Sequence, residues 1–181
     1  HAAADAYLKV ARGFDIERLQ GIYTQENYFD KKLCIGSATV RFPVAGGYWE
    51  RIIDQPGRFE KKKAHFNYGL DYQGKVWEPP MPRPDNEIWF VEGIFDSLSL
   101  MFAEVYAVTP LSCSNYPHLY LAAIKEQCEA NEKPLPALGF AYDDGKAGKD
   151  YMRRHVARAI KDGWKASAAY IRNDRIKRDW N

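Results

Sequence analysis

Ile88-Trp89-Phe90-Val91-Glu92-Gly93-Ile94-Phe95-Asp96-Ser97-Leu98-Ser99-Leu100 decides the fold of this chain. Ile88 to Val91 read as a strand buried on both faces, and they run straight into a carboxylate. Gly93 suits a tight turn, and a helical period follows from Ile94 to Ala103. Strand, turn and helix in that order make the first half of a βαβ unit.

The same grammar continues toward the C-terminus. Tyr106 to Thr109 reads as a strand and Tyr116 to Ala130 as a helix. Ala137 to Tyr142 is a second buried strand, ending in Asp143-Asp144-Gly145, and Lys146 to Lys161 is a helix. Ala166 to Ile171 closes the series as a strand. This alternation predicts a mainly parallel sheet covered by helices. Met152, Val156 and Ile160 are expected to form the inward stripe of the last helix, with Arg154, Arg158 and Lys161 facing outward or sideways.

Toward the N-terminus the texture changes. Glu78-Pro79-Pro80-Met81-Pro82-Arg83-Pro84 suits neither a helix interior nor a central strand, so the junction between two domains, 1–84 and 85–181, is expected there. Ahead of it, Ala38 to Phe42, Tyr48 to Ile53 and His65 to Tyr72 are β-prone pieces separated by Gly and Pro, which predicts an antiparallel sheet. Ala2 to Leu19 is helical in pattern, with Ala6, Tyr7, Val10 and Ala11 on one face. Gly13 interrupts it, and Asp15 is placed to cap a second short helix, Ile16 to Leu19. The expected class is therefore mixed α/β, an α+β subdomain followed by a Rossmann-like one.

The 181 residues are 46% hydrophobic, enough for a substantial core. Lys and Arg total 26 against 24 Asp and Glu, so bulk charge alone does not announce a polyanionic partner. Its distribution says more: Lys61-Lys62-Lys63 follows Arg58, and Lys149 to Asn181 holds ten Lys/Arg against four Asp. Three separated cysteines without a Cys-x-x-Cys pair, and four histidines, argue against a structural zinc site or a disulfide framework and fit a reducing cytoplasm. No apolar run approaches the roughly 18 residues of a membrane span, and no signal-peptide pattern is present. His1 and the charged stretch ending at Asn181 read as the ends of a piece of a larger protein.

Open parallel sheets bind ligands beyond the carboxyl ends of their strands. If the strands ending at Val91 and Tyr142 are neighbours, Glu92 converges with Asp143 and Asp144. Carboxylates so close raise one another's pKa unless a cation sits between them. Oxygen ligands without nearby His or Cys favour Mg²⁺ or Mn²⁺, the ions of phosphoryl and nucleotidyl transfer. Plainer roles compete with this one. Asp143 or Asp144 suits the N-cap of the helix starting near Lys146, and Asp96 suits a first-turn acid on the helix dipole. Glu92, placed directly after four bulky apolar residues, is harder to explain without a partner.

Phe90-Val91-Glu92-Gly93-Ile94-Phe95-Asp96-Ser97-Leu98-Ser99-Leu100 resembles the first signature of Toprim domains in bacterial, phage and plasmid DNA primases. Tyr142-Asp143-Asp144-Gly145-Lys146-Ala147-Gly148-Lys149 resembles the second, in which Asp-x-Asp precedes Lys/Arg-Ala-Gly. Lys177-Arg178-Asp179-Trp180-Asn181 is similar to the Lys-Asp-Trp-Asn-Asp ending of mobile-element primases. Ala6-Tyr7-Leu8, Arg12-Gly13, Val40-Arg41-Phe42-Pro43 and Lys63-Ala64-His65-Phe66-Asn67 echo the basic subdomain that precedes Toprim. Three departures stand out. The second Asp of the motif falls on Gly145, with Asp144 at the spacer. Pro110-Leu111-Ser112-Cys113-Ser114 lacks the usual glycine. The terminal acid expected after Asn181 is missing because the chain ends there.

The resemblance implies a primase core that synthesises RNA primers on single-stranded DNA from nucleoside triphosphates. It assigns Glu92, Asp143, Asp144 and Asp179 to Mg²⁺ or Mn²⁺, with Asp96 as a supporting catalytic acid. Template and nucleotide contacts fall to Arg41, Arg51, Arg58, Lys61, Lys62, Lys63 and Asn67, with Tyr48, Trp49, Phe59, Phe66 and Tyr68 as aromatic neighbours for unpaired bases. A replicative helicase is the expected partner through regions outside this sequence. Two alternatives remain: a catalytically weak nucleic-acid-binding Toprim module, and a nuclease or topoisomerase-type Toprim enzyme.

Overall fold

A computed structural model describes residues 1–59 and 63–170. The chain divides into two compact units, His1–Asp71 and Tyr72–Asn181.

The first unit is built on an antiparallel sheet of β1 (Thr24–Asp30), β2 (Ile35–Val44), β3 (Gly47–Ile52) and β4 (Ala64–Phe66), in that spatial order. Alternation sorts its side chains. Val40 and Phe42 point to one face and are buried, while Thr39 and Arg41 point to the other. The Val40/Phe42 face carries the apolar core, where Phe42 meets the ring of Tyr23 at 6.1 Å. Helix α1 (Ala2–Ala6) is capped from outside itself, because Gln25 Oε1 accepts the amides of Ala3 and Ala4 at 2.8 and 3.0 Å. The chain continues as a π-helical turn, Tyr7–Ala11, and this segment buries Ala4 and Leu8 rather than the Ala6/Tyr7/Val10/Ala11 face. Asp15 caps the 3₁₀ turn Ile16–Leu19 as expected, accepting from Glu17 N at 3.1 Å. β1 was not among the β-prone pieces read from the sequence, and the strand expected from His65 to Tyr72 is confined to Ala64–Phe66. Gly47 at the β2–β3 hairpin has no room for a side chain: a Cβ there would lie 1.9 Å from Asn67 Oδ1.

The second unit carries the parallel sheet. In chain order its elements are β5 (Glu87–Val91), α2 (Ile94–Phe102), β6 (Ala107–Val108), α3 (His118–Ala130), β7 (Ala137–Ala141), α4 (Lys146–Lys161) and β8 (Ala166–Ala168). The spatial order is β6-β5-β7-β8, all neighbours parallel. Phe90 and Phe140, register partners on β5 and β7, stack at 4.9 Å in the centre of the core. Each such buried ring contributes on the order of 2–3 kcal/mol through removal from water. The mixed α/β class and the order of elements read from the sequence are borne out.

One expectation changes. The α4 stripe is Met152, His155 and Ala159, all buried, whereas Ile160 is 56% exposed. At 3.6 residues per turn, i+8 drifts about 80° off the starting face while i+7 returns to within about 20° of it. The second compact unit starts at Tyr72 and takes in the proline-rich stretch. Trp77 exchanges backbone hydrogen bonds with Thr109 at 2.8 and 3.0 Å, and Glu78 accepts the hydroxyls of Tyr106 and Tyr120. Buried Asn115 fastens the start of this unit. Its Oδ1 accepts Gly74 N at 2.8 Å, while Nδ2 donates to the carbonyls of Tyr72, Lys75 and Pro110. Among the described residues, no helix is long and apolar enough to cross a membrane.

Candidate functional site

β5 and β7 are hydrogen-bonded neighbours with Val91 opposite Ala141, so Glu92 and the Tyr142-Asp143 pair leave the sheet side by side at its carboxyl edge. The backbone around Glu92 is fixed from the neighbouring loop: Thr109 Oγ1 donates to the Glu92 carbonyl at 2.8 Å and accepts Leu111 N at 2.9 Å. Asp96 Oδ2 accepts Gly93 N at 2.9 Å, and its side chain is buried. That bond closes the turn and caps α2, the role a first-turn acid takes when it serves the helix.

The loop after β7 is held against α4. Gly145 N donates to the Asp143 carbonyl at 2.7 Å, and a Cβ on Gly148 would stand 2.5 Å from that same oxygen. Only glycine permits this approach of helix and loop. One residue earlier, the Tyr142 hydroxyl and His155 Nδ1 lie 2.9 Å apart in the core. Burial pushes the Tyr142 hydroxyl well above its ordinary pKa, with smaller contributions from Cys113 and Glu92. Burial, then the charge of Arg158, pushes His155 down to about 4, so the ring is neutral at physiological pH.

Glu92 and Asp143 share one electrostatic neighbourhood. Burial pushes the Cys113 thiol up, the Glu92 charge pushes it further, and Asp143 adds to the shift. Oδ1 of Asp143 is itself buried. Asp144 differs: its side chain is almost wholly buried and forms an ion pair with Lys149. Among the described residues no three His, Cys, Asp or Glu side chains gather in a metal-binding group. Asp179 lies outside the described residues. Glu92 and Asp143 thus leave neighbouring strands at the same edge, while Asp96 serves a cap and Asp144 a lysine. A pair of carboxylates with water and phosphate oxygens completing the shell suits Mg²⁺, which seldom takes an all-protein cage.

The basic candidates of the first unit separate in a similar way. Arg41 donates through Nε and Nη2 to Glu50 Oε2 at 3.2 and 3.1 Å and lies 3.7 Å over the Tyr48 ring. Arg58 is exposed and pairs with Asp54 at 3.1 Å. Arg51 has a buried Nε with no hydrogen-bond partner among the described residues. Lys63 is exposed, and Lys61 and Lys62 lie outside the described residues. Asn67 commits its carboxamide oxygen to Tyr48 N at 2.7 Å, bracing the hairpin. Of the aromatics, Tyr68 is fully exposed and Phe59 is core.

Sequence reasoning missed Glu50, which is only 2% exposed. Its carboxylate accepts from Thr39 Oγ1 at 2.9 Å, from Arg41, and from His65 Nε2 at 2.7 Å. Burial alone would raise its pKa, but the His65 and Thr39 hydrogen bonds and the Arg41 charge outweigh burial and hold it below the usual range. The signal was present in the alternation: Glu50 is in phase with Ile52, and both are buried on the Thr39/Arg41 face of the sheet.

A family described as Toprim-like matches residues 89–181. The structure is similar to the RNA polymerase domain of the Mycobacterium tuberculosis primase DnaG, with a TM-score of 0.66 and 14% identity over 97% of this chain and 70% of that one. It is also similar to the primase fragment of the bacteriophage T7 primase-helicase protein, with a TM-score of 0.50 and 15% identity over 90% of this chain and 64% of that one. At these identities the likeness is one of fold. No curated protein matches the chain.

Proposed function

Because this chain belongs to the Toprim-like family, we propose that it is the RNA-polymerising core of a DNA primase, acting on single-stranded DNA with nucleoside triphosphates. The observation that carries this reading is that Glu92 and Asp143 follow neighbouring parallel strands at the carboxyl edge of the sheet and both act on the Cys113 thiol. In the proposed reaction a primer 3′-hydroxyl attacks the α-phosphorus of a nucleoside triphosphate. The new P–O bond forms as the bond to the bridging oxygen breaks, and pyrophosphate leaves with the electron pair.

Glu92 and Asp143 hold the divalent cation, with Asp179 as the further acid. Bound Mg²⁺ or Mn²⁺ supplies Lewis acidity, lowering the hydroxyl's pKa and offsetting charge on the phosphates. Asp96 and Thr109 keep Glu92 aimed by fixing the backbone on either side of it. Arg41, Arg51, Arg58 and the Lys61–Lys63 run hold template and nucleotide by charge, with the steep salt dependence of phosphate contacts. The setting is cytoplasmic, and a replicative helicase engages regions outside this sequence.

A second reading, a nucleic-acid-binding module with weak or no catalysis, is favoured by one observation. The motif position for a second acid is Gly145, and the neighbouring Asp144 is committed to Lys149. A template-dependent primer assay with labelled nucleotides separates the two. Under the primase reading, Glu92→Gln and Asp143→Asn each reduce synthesis on the order of a hundredfold while single-stranded DNA binding persists. Binding without synthesis in the wild type would establish the module instead, and nicking or relaxation of plasmid DNA would point to nuclease or topoisomerase chemistry.

A further inference from the structure

We propose that Glu50 is a positioning residue: it presets Arg41 and His65 on one face of the antiparallel sheet as a contact surface for an unpaired nucleic-acid strand. The proposal rests on the nucleic-acid reading above and deepens it.

The cross-strand register places Arg41 opposite Glu50 and Glu50 opposite His65, so three adjacent strands contribute one row of side chains. At its centre lies a carboxylate 2% exposed, accepting hydrogen bonds from Thr39, Arg41 and His65. Burying a carboxylate is costly, and a well-packed apolar residue in its place is often as stable. Ile52, in phase with Glu50 on the same strand, shows that this face accepts an apolar side chain. What the carboxylate adds is geometry.

Glu50 engages the Nε/Nη2 edge of the guanidinium, whose central carbon lies 3.7 Å from the centre of the Tyr48 ring. Nη1 stands on the opposite edge, 3.9 Å from Glu26, and a quarter of the Arg41 side chain is exposed. Glu50 likewise fixes His65, whose ring lies 4.4 Å from that of Tyr28. The outcome is two ordered pairs, the guanidinium over the Tyr48 ring and the imidazole tilted 53° against the Tyr28 ring, all four side chains partly exposed. Planar groups held this way suit stacking on the faces of unpaired bases, which a duplex keeps covered. Since Glu50 offsets one positive charge, ordering rather than net charge is what the arrangement provides.

Charge and positioning predict opposite signs for one substitution. Glu50→Gln removes a negative charge, which by itself tightens binding to a polyanion. If Glu50 positions Arg41 and His65, the same change weakens binding. Anisotropy of a fluorescein-labelled single-stranded DNA oligonucleotide, titrated with the 181-residue chain, reads the difference. The expected result is weakening on the order of tenfold for Glu50→Gln and for Arg41→Ala, with no further loss in the double variant. Folded Glu50→Gln that binds as well as wild type, or better, overturns the proposal. If Glu50→Gln does not fold, Arg41→Lys decides: it keeps the charge but loses the fork and the stacked plane, so weakening close to that of Arg41→Ala supports positioning and wild-type affinity overturns it. A wild-type chain that does not bind the oligonucleotide overturns the underlying nucleic-acid reading, which is visible before any variant is made.

Discussion

The Tyr142 hydroxyl and His155 Nδ1, 2.9 Å apart and both in the core, tie the end of β7 to the middle of α4 immediately before Asp143. With burial holding the ring at about 4 against an ordinary 6.5, the folded second unit takes up this proton later than the unfolded chain does. A lowered histidine pKa therefore gives stability that is complete above pH 6.5 and declines as the pH falls from there to about 4. The loss reaches about 3 kcal/mol. Denaturant unfolding followed through the buried Trp164 should show that slope in the wild type and a flatter profile in His155→Gln.

Cys113 reports on the acidic patch. Since the charges of Glu92 and Asp143 help to hold its thiol up, Glu92→Gln lowers the thiol pKa and raises the thiolate fraction at pH 8. Alkylation by iodoacetamide, measured with Cys34→Ser to remove the exposed thiol, is expected to be faster in Glu92→Gln. An unchanged rate would separate Glu92 from the neighbourhood assigned to it here.

The two glycines at the start of α4 should respond oppositely. Gly148→Ala drives a methyl against the Asp143 carbonyl and is expected to cost about 1–3 kcal/mol by displacing the loop. Gly145 is the N-cap, and nothing lies within 4 Å of a Cβ built there. Gly145→Asp therefore fits, and it should stabilise the helix by a few tenths of a kcal/mol. Thermal melting of both variants checks the contrast.

Asp96→Ala distinguishes a cap from a ligand. Loss of the Gly93 hydrogen bond should cost about 1 kcal/mol of stability. Mn²⁺ affinity, followed by electron paramagnetic resonance, should change far less than in Asp143→Asn.

The parallel half of this fold was legible because its two central strands, β5 and β7, are short apolar runs of the kind that two-sided burial requires, and each runs on into a carboxylate and a turn. The carboxyl-edge position of Glu92 and Asp143 followed from that alternation. What the sequence hid depends on pairing across the chain. Asp144 is an acid beside an acid until Lys149 folds back along α4 to meet it. Glu50 is an ordinary strand residue until the register brings Arg41 and His65 to its sides. The N-terminal sheet was harder to delimit because polar residues occupy much of β1, so its start carries no apolar signal.

Asn115 bears on how the chain can be dissected. Its carboxamide is stitched to Tyr72, Gly74 and Lys75, well upstream of the prolines. A fragment started at residue 85 would strip those partners from a buried polar group and remove Trp77 from Thr109. One started at Tyr72 keeps the fastening intact, so the shorter piece should express poorly where the longer one folds.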